Sequence, residues 1–217
     1  MKRLICFAVS DEKRFFQPGP EDMVLVTGMG ARAAETALRL SLSGSRPDLI
    51  VAAGFAGGLN PELTLGQLVL DDRAGEVAAR INDRKDSSLF FSGTIYSSPR
   101  VLITPDEKDI CRSETKADAV DMESETIRRI AGEQGIPMIA LRAISDTAQE
   151  ALPLDFNQFM TPQGGMCFGR LIAHLMLHPG KIPSLIRFQK RVIIAARELA
   201  KAFEIVNGEL GVRGCSG

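Results

Sequence analysis

The 217-residue sequence predicts an α/β fold, a sheet covered by helices on both faces. Short apolar runs rich in branched residues alternate with helix-patterned segments, the order that α/β organisation leaves in a chain. Several of those runs are apolar throughout rather than alternating, as strands buried on two faces require. With 45% hydrophobic residues the chain can bury one sizeable core, so residues 1–207 are expected to form a single domain, followed by a frayed tail over 208–217.

The strand candidates are residues 4–9, 23–27, 49–53, 67–70, 101–104, 117–121 and 137–143. The first crossover runs from strand 23–27 through a turn at Gly28 and Gly30 into a helix over 31–42, with Ala37, Leu38 and Leu42 available for packing. Pro47 and Asp48 restart the chain as a strand. Gly54, Gly57 and Gly58 follow it, either as a tight surface turn or as a place where a ligand approaches the backbone. Residues 81–99 are polar, then aromatic, then serine-rich, and predict a mobile loop with a hairpin strand near 89–96. A helix over 124–133 is stopped by Gly135 and Pro137, and the strand 137–143 delivers Ser145 and Asp146 to its carboxyl end, where open α/β sheets bind ligands. Two helices close the chain, 164–177 and 183–203, separated by His178-Pro179-Gly180. Leu171, Leu175, Leu185, Ile186, Ile193 and Leu199 fall on apolar positions there, and Lys181, Arg187, Lys190, Arg191, Arg197 and Lys201 on one basic side. That side is a solvated outer face or a contact with an anionic membrane surface.

Composition removes several function classes. A net charge of −1 leaves no overall electrostatic footprint for nucleic acid. No apolar run reaches the roughly 18 residues of a spanning helix. The basic and apolar N-terminus meets the charges of Asp11 to Arg14 before an export signal is complete, so it reads as a first strand. Cys6, Cys111, Cys167 and Cys215 lack metal-binding spacing and suit reduced thiols, which makes a cytoplasmic protein the expectation.

Gly28-Met29-Gly30-Ala31-Arg32-Ala33 fits the dinucleotide fingerprint, after a strand and at a helix start. The acid that should take the ribose is missing, because the next strand ends at Gly54-Phe55. What remains is a turn whose amides, with Thr27, suit an anion or a ribose hydroxyl. His174 and His178 are spaced as a zinc pair, but the glutamate of a metalloprotease helix is absent, and no metal is expected. Asp121, Glu123 and Asp146 bracket a helix-then-strand unit and could meet in one pocket. Asp121 and Glu123 are expected to face differently, so that only one enters it.

Taken in order, Thr27-Gly28-Met29-Gly30, Gly54-Phe55-Ala56-Gly57-Gly58-Leu59, Gly66-Gln67-Leu68-Val69-Leu70, Val120-Asp121-Met122-Glu123 and Arg142-Ala143-Ile144-Ser145-Asp146 resemble the nucleoside phosphorylase and nucleosidase superfamily, in the branch related to methylthioadenosine/adenosylhomocysteine nucleosidase. The short stretch 104–120 and the C-terminal helices resemble the hopanoid-associated branch, whose proposed activity releases adenine from adenosylhopane. The resemblance implies a three-layer α/β/α fold with a central twisted mixed sheet, a homodimer, and release of a purine, adenine above all, from a 5′-substituted nucleoside by water or by phosphate. No cofactor is implied beyond phosphate as a co-substrate. Carried onto this chain, Asp146 protonates N7 of the purine and Ser145 orients it; Glu123 binds the ribose hydroxyls and Met122 lies against the sugar. Glu12 activates water. Phe55, Ala56, Gly57, Thr27 and Gly28 complete the binding surface, and Thr27, Gly28 and Arg32 would hold phosphate if it is used. Phe55 departs from the small hydroxyl residue usual at that place. The reading from another class is a catalytically silent module that only binds a nucleoside.

Overall fold

One five-residue strand, β1 (Arg3–Phe7), already feeds two cores. All its residues are buried. Leu4 and Cys6 join one apolar cluster, Ile5 and Phe7 the other, as the two-residue repeat of a strand demands. The computed structural model describes residues 1–74, 90–161 and 164–211. After β1 come β2 (Asp22–Val26), α1 (Ala31–Gly44), β3 (Leu49–Gly58), β4 (Leu68–Asp71), β5 (Phe90–Ser92), β6 (Ile95–Ser97) and α2 (Pro105–Thr115). β7 (Ala119–Asp121), α3 (Ser124–Glu133), β8 (Met138–Asp146), α4 (Phe168–Leu177) and α5 (Ile182–Gly211) follow, with short 3₁₀ turns at Phe156–Phe159 and Pro179–Lys181.

The strands form one mixed sheet in the order β2-β1-β3-β8-β4-β5, with β7 joined to the far end of β3 and β6 to β7. β4 runs antiparallel to β8, and β7 antiparallel to β3. On one face Ala34 and Leu38 of α1 and Ile127, Ile130 and Ala131 of α3 cover Leu4, Ile50, Ala52 and Ala140. On the other, Ala195, Leu199, Ala202 and Phe203 of α5 cover Ile5, Val51, Ala53 and Leu141, and Phe203 meets the rings of Phe16 and Phe7 at 4.6 and 6.1 Å. Each Leu, Ile or Phe so buried contributes roughly 1.5–3 kcal/mol. The result is the expected three-layer α/β/α arrangement around a mixed sheet.

Four expectations change. The glycines after residue 53 are not a surface turn: β3 continues through them to Gly58, held by β8 on one side and β7 at its end. Residues 101–104 are not a strand. They lead into α2, where Thr104 accepts from the Glu107 amide and Glu107 reaches back to the Thr104 amide, a capping box that outweighs the β-branched run before it. The hairpin near 89–96 is instead two short strands with different partners, β5 on β4 and β6 on β7. The loop expected from residue 81 lies, as far as residue 89, outside the described residues. α4 begins at Phe168, later than residue 164, and α5 runs on to Gly211, into the expected tail. Cys6, Cys111 and Cys167 are free thiols, and burial pushes the Cys6 thiol up to about 12. Among the described residues no helix is long and apolar enough to cross a membrane.

Candidate active site

The carboxyl ends of β1, β3 and β8 and the start of α3 bring together two polar clusters. The first is built on Arg142, a charged residue in the middle of the buried strand β8 and only 1% exposed. Its Nη2 lies 2.5 Å from Asp121 Oδ2, donates to Ser124 Oγ at 3.0 Å and stands 3.7 Å from Glu123 Oε2. Asp121 is anchored in turn by the hydroxyls of Ser97, at 2.6 Å, and Ser124. Burial works against the charge of Arg142, and Asp121, Glu123 and Glu12 together outweigh it and hold the guanidinium charged.

Glu12, in the turn after β1, enters the same cluster from the opposite side. Its Oε2 accepts from the amides of Ala8 and Val9 at 2.6 and 3.1 Å, and its Oε1 from the amide of Phe55 at 2.9 Å. Burial raises its pKa, although Arg142 and the three amides pull the other way, so it is a buried carboxyl of increased basicity. Gly54 makes the meeting sterically feasible. A Cβ at that position would overlap both Arg142 Nη1 and Glu12 Oε1. Arg142 Nη1 has no hydrogen-bond partner in the protein.

Glu123 closes the cluster. Its Oε1 accepts from the Gly30 amide at 2.7 Å, so the N-terminus of α1, a natural seat for an anion, is taken by the protein's own carboxylate. Burial and the neighbouring Asp121 push the Glu123 pKa up to about 7, against the pull of Arg142 and the Gly30 amide. Met122 is half-buried and its Cε faces Gly30.

The second cluster surrounds Asp146 at the end of β8. The β3/β8 ladder slips there, from Ala56 opposite Ile144 to Gly57 opposite Asp146, leaving Ser145 as an extra residue in β8. Strict alternation would send neighbouring side chains to opposite faces. The bulge instead lets Ser145 Oγ donate to Asp146 Oδ1 at 2.7 Å. Asp146 Oδ2 accepts from Lys108 Nζ at 2.5 Å, and a Cβ on Gly57 would stand 3.2 Å from the same oxygen. Lys108 reaches in from α2, is 1% exposed, and also donates to the carbonyls of Thr147 and Glu150 at 2.7 and 2.9 Å.

The expected residues are therefore gathered unequally. Glu12, Glu123, Ser145 and Asp146 are each buried at the sheet's carboxyl end, with Ala56 and Gly57 between them on β3. Asp121 and Glu123 do not face differently, since both turn to Arg142. Phe55 offers its amide to Glu12 while its ring packs on the α5 side of the sheet. The turn expected to cradle an anion has its donors engaged: Gly28 to the Ala8 carbonyl, Met29 to the Gly164 carbonyl, Gly30 to Glu123, and the Thr27 hydroxyl to backbone oxygens. Arg32 is exposed on the first turn of α1. His174 and His178 stack on each other, with ring centroids 4.4 Å apart, on α4 and its end. Among the described residues no group of three or more His, Cys, Asp or Glu side chains is arranged to hold a metal ion.

Two residues of the site carry no expectation from sequence, Arg142 and Lys108. Arg142 had a signal, a charge flanked by apolar residues, Met138 to Leu141 before it and Ala143 and Ile144 after it, within one strand. Lys108 had an indirect one: the Thr104-x-x-Glu107 cap announces a helix, but nothing local says that its lysine turns inward.

Residues 19–93 and 79–176 match the phosphorylase superfamily. Over 173 residues the chain is 26% identical to the 5′-methylthioadenosine/S-adenosylhomocysteine nucleosidase of Geobacillus kaustophilus (strain HTA426), an alignment covering 65% of this chain and 74% of that relative. Among solved structures, futalosine hydrolase of Helicobacter pylori strain 26695 superposes with a TM-score of 0.67 at 17% identity, over 96% of this chain and 97% of the other. The 5′-methylthioadenosine/S-adenosylhomocysteine nucleosidase of S. pneumoniae with the transition-state inhibitor MT-ImmA gives 0.70 at 16% identity, over 97% and 100%. These two structural likenesses concern the fold.

Proposed function

Because the chain belongs to the phosphorylase superfamily, we propose that it cleaves the N-glycosidic bond of a 5′-substituted purine nucleoside, releasing adenine, with water as the acceptor. One observation carries this reading: a buried acid held by Ser145 and Lys108 stands at one end of the site, and a buried carboxyl of raised basicity, Glu12, at the other. Asp146 delivers a proton to N7, which turns the departing base into a neutral leaving group. Glu123 receives the ribose hydroxyls and steadies positive charge on the sugar, with Met122 against its face and Ala56, Gly57 and Phe55 bordering the base. Glu12 takes a proton from the attacking water, and the unpartnered Nη1 of Arg142 is a free donor beside it. Water is preferred to phosphate because Thr27 and the amides of Gly28 and Gly30 already have acceptors, and Arg32 alone is a poor phosphate clamp.

The 5′ substituent is proposed to be a lipid, as in adenosylhopane, with the enzyme working in the cytoplasm against the inner membrane surface. Phe168, Ile172, Met176 and Leu177 of α4 are 58–78% exposed, and Arg170, Lys181, Arg187 and Lys190 in the same C-terminal part of the chain are exposed too. No Asp or Glu occurs between residues 156 and 197. Exposed apolar side chains and cations in one acid-free stretch suit an anionic lipid surface. A homodimer would use another face, since a two-fold contact here would oppose like charges.

Adenosine, methylthioadenosine and adenosylhopane, each incubated with and without phosphate, test the reading by the sugar product. Adenine together with the free 5′-substituted sugar is expected, in a yield that phosphate does not change. A sugar 1-phosphate would reassign the reaction to phosphorolysis, and no adenine from any of the three would sink the proposal. Flotation with anionic rather than neutral vesicles checks the membrane contact.

A further inference from the structure

Asp146 has a proton-supply problem that the reading above leaves open. Protonating N7 requires a donor, yet both Asp146 oxygens already accept hydrogen bonds, from Ser145 and from Lys108. An ionised carboxylate only accepts. The ammonium of Lys108, by contrast, has three N–H bonds aimed at three acceptors: Asp146 Oδ2, the Thr147 carbonyl and the Glu150 carbonyl. If the first of those protons leaves, a neutral amine keeps two N–H bonds for the two carbonyls and turns its lone pair to Asp146. A protonated Asp146 donates to that lone pair, so every hydrogen bond is kept on both sides of the transfer from Lys108 to Asp146.

Resting on the glycosidase reading, we propose that Lys108 is the proton reservoir for Asp146, so that the acid of this site is a lysine–aspartate pair rather than a carboxyl group alone. As the bond from C1′ to N9 breaks, its electron pair goes to the purine. Asp146 receives a proton from Lys108 Nζ and passes it to N7, ending as a carboxylate beside a neutral amine. Water supplies hydroxide to C1′ and its proton to Glu12; Glu12 then releases that proton to solvent, and a proton from solvent restores the ammonium. Lys108 does not touch the substrate; it acts through Asp146. The 5% exposure of Asp146 and 1% of Lys108 restrict proton exchange of the pair with bulk water.

The test compares adenine release from methylthioadenosine with phenolate release from 4-nitrophenyl riboside, by the wild type, Lys108→Met and Lys108→Arg, with circular dichroism to establish folding. Nitrophenolate departs without a proton and bypasses the pair. Lys108→Arg keeps the charge that compensates the buried carboxylate but does not surrender a proton, which guards against a Met variant that fails to fold. Both variants are expected to lose adenine release by about 100-fold or more while phenolate release stays within about threefold. The Met variant should regain adenine release as pH falls, because Asp146 then takes its proton from solvent. Equal losses on both substrates would reduce Lys108 to a structural role, and undiminished adenine release would remove it from the proton path; either overturns the proposal. Failure of the glycosidase reading is recognised separately, because there the wild type itself releases adenine from no nucleoside.

Discussion

The two polar clusters at the carboxyl end of the sheet are balanced in opposite ways. Around Arg142, three carboxyls share one guanidinium, and burial leaves Glu12 and Glu123 with raised pKa values. Around Asp146, one carboxylate meets one ammonium and one hydroxyl, with every polar hydrogen directed at an acceptor. An acid-rich cluster is a place where a proton is readily taken up, and a matched pair is a place where one is kept until needed. Water activation and base protonation call for those two characters.

Silencing one cluster at a time separates their roles. Asp146→Asn keeps the shape of the matched pair and removes its acid, so adenine release should fall by about 10³-fold with the fold intact by circular dichroism. Near-normal turnover would end the assignment. Arg142→Met acts on stability instead. It removes the cation that three buried carboxyls share and is expected to lower the free energy of unfolding by about 3–5 kcal/mol in a urea titration.

Glu123→Gln has a smaller effect, read in the pH dependence of stability. The Glu123 pKa stands at about 7 against an ordinary 4.5, so the folded chain holds this proton more tightly than the unfolded one. The stability it contributes is fully present below about 4.5 and is lost as pH rises through about 7. Melting temperature measured across that interval should fall with pH in the wild type and fall less in the Gln variant, the remaining slope coming from Glu12, whose pKa is also raised. Identical slopes would show that Glu123 titrates normally.

Local patterns made much of this molecule legible. The helix over Ser124–Glu133 is bounded by its own stop signals, Glu123 and Asp146 lie in ordered motifs, and Glu12 follows the first strand at the distance the resemblance implies; all three are buried. What escaped was long-range. β3 looked finished at residue 53 because glycines are poor strand formers, and only its ladder with β8 and β7 extends it to Gly58. α2 was hidden by the branched residues before Thr104, and with it Lys108, whose partner lies 38 residues away. The charge of Arg142 inside an apolar strand was visible, but its three acids come from separate parts of the chain.

The slip in the β3/β8 ladder makes the acid end of the site depend on a count of residues as well as on their kinds. Removing Ser145 would leave every charged group of both clusters present in the chain. It would also close the bulge while leaving Asp146 opposite Gly57, so the acid would keep its place and lose the hydroxyl that Ser145 turns toward it. Relatives of this protein that lack one residue between their counterparts of Arg142 and Asp146 should therefore be read as having changed what supports the acid, even where the acid itself is still in place.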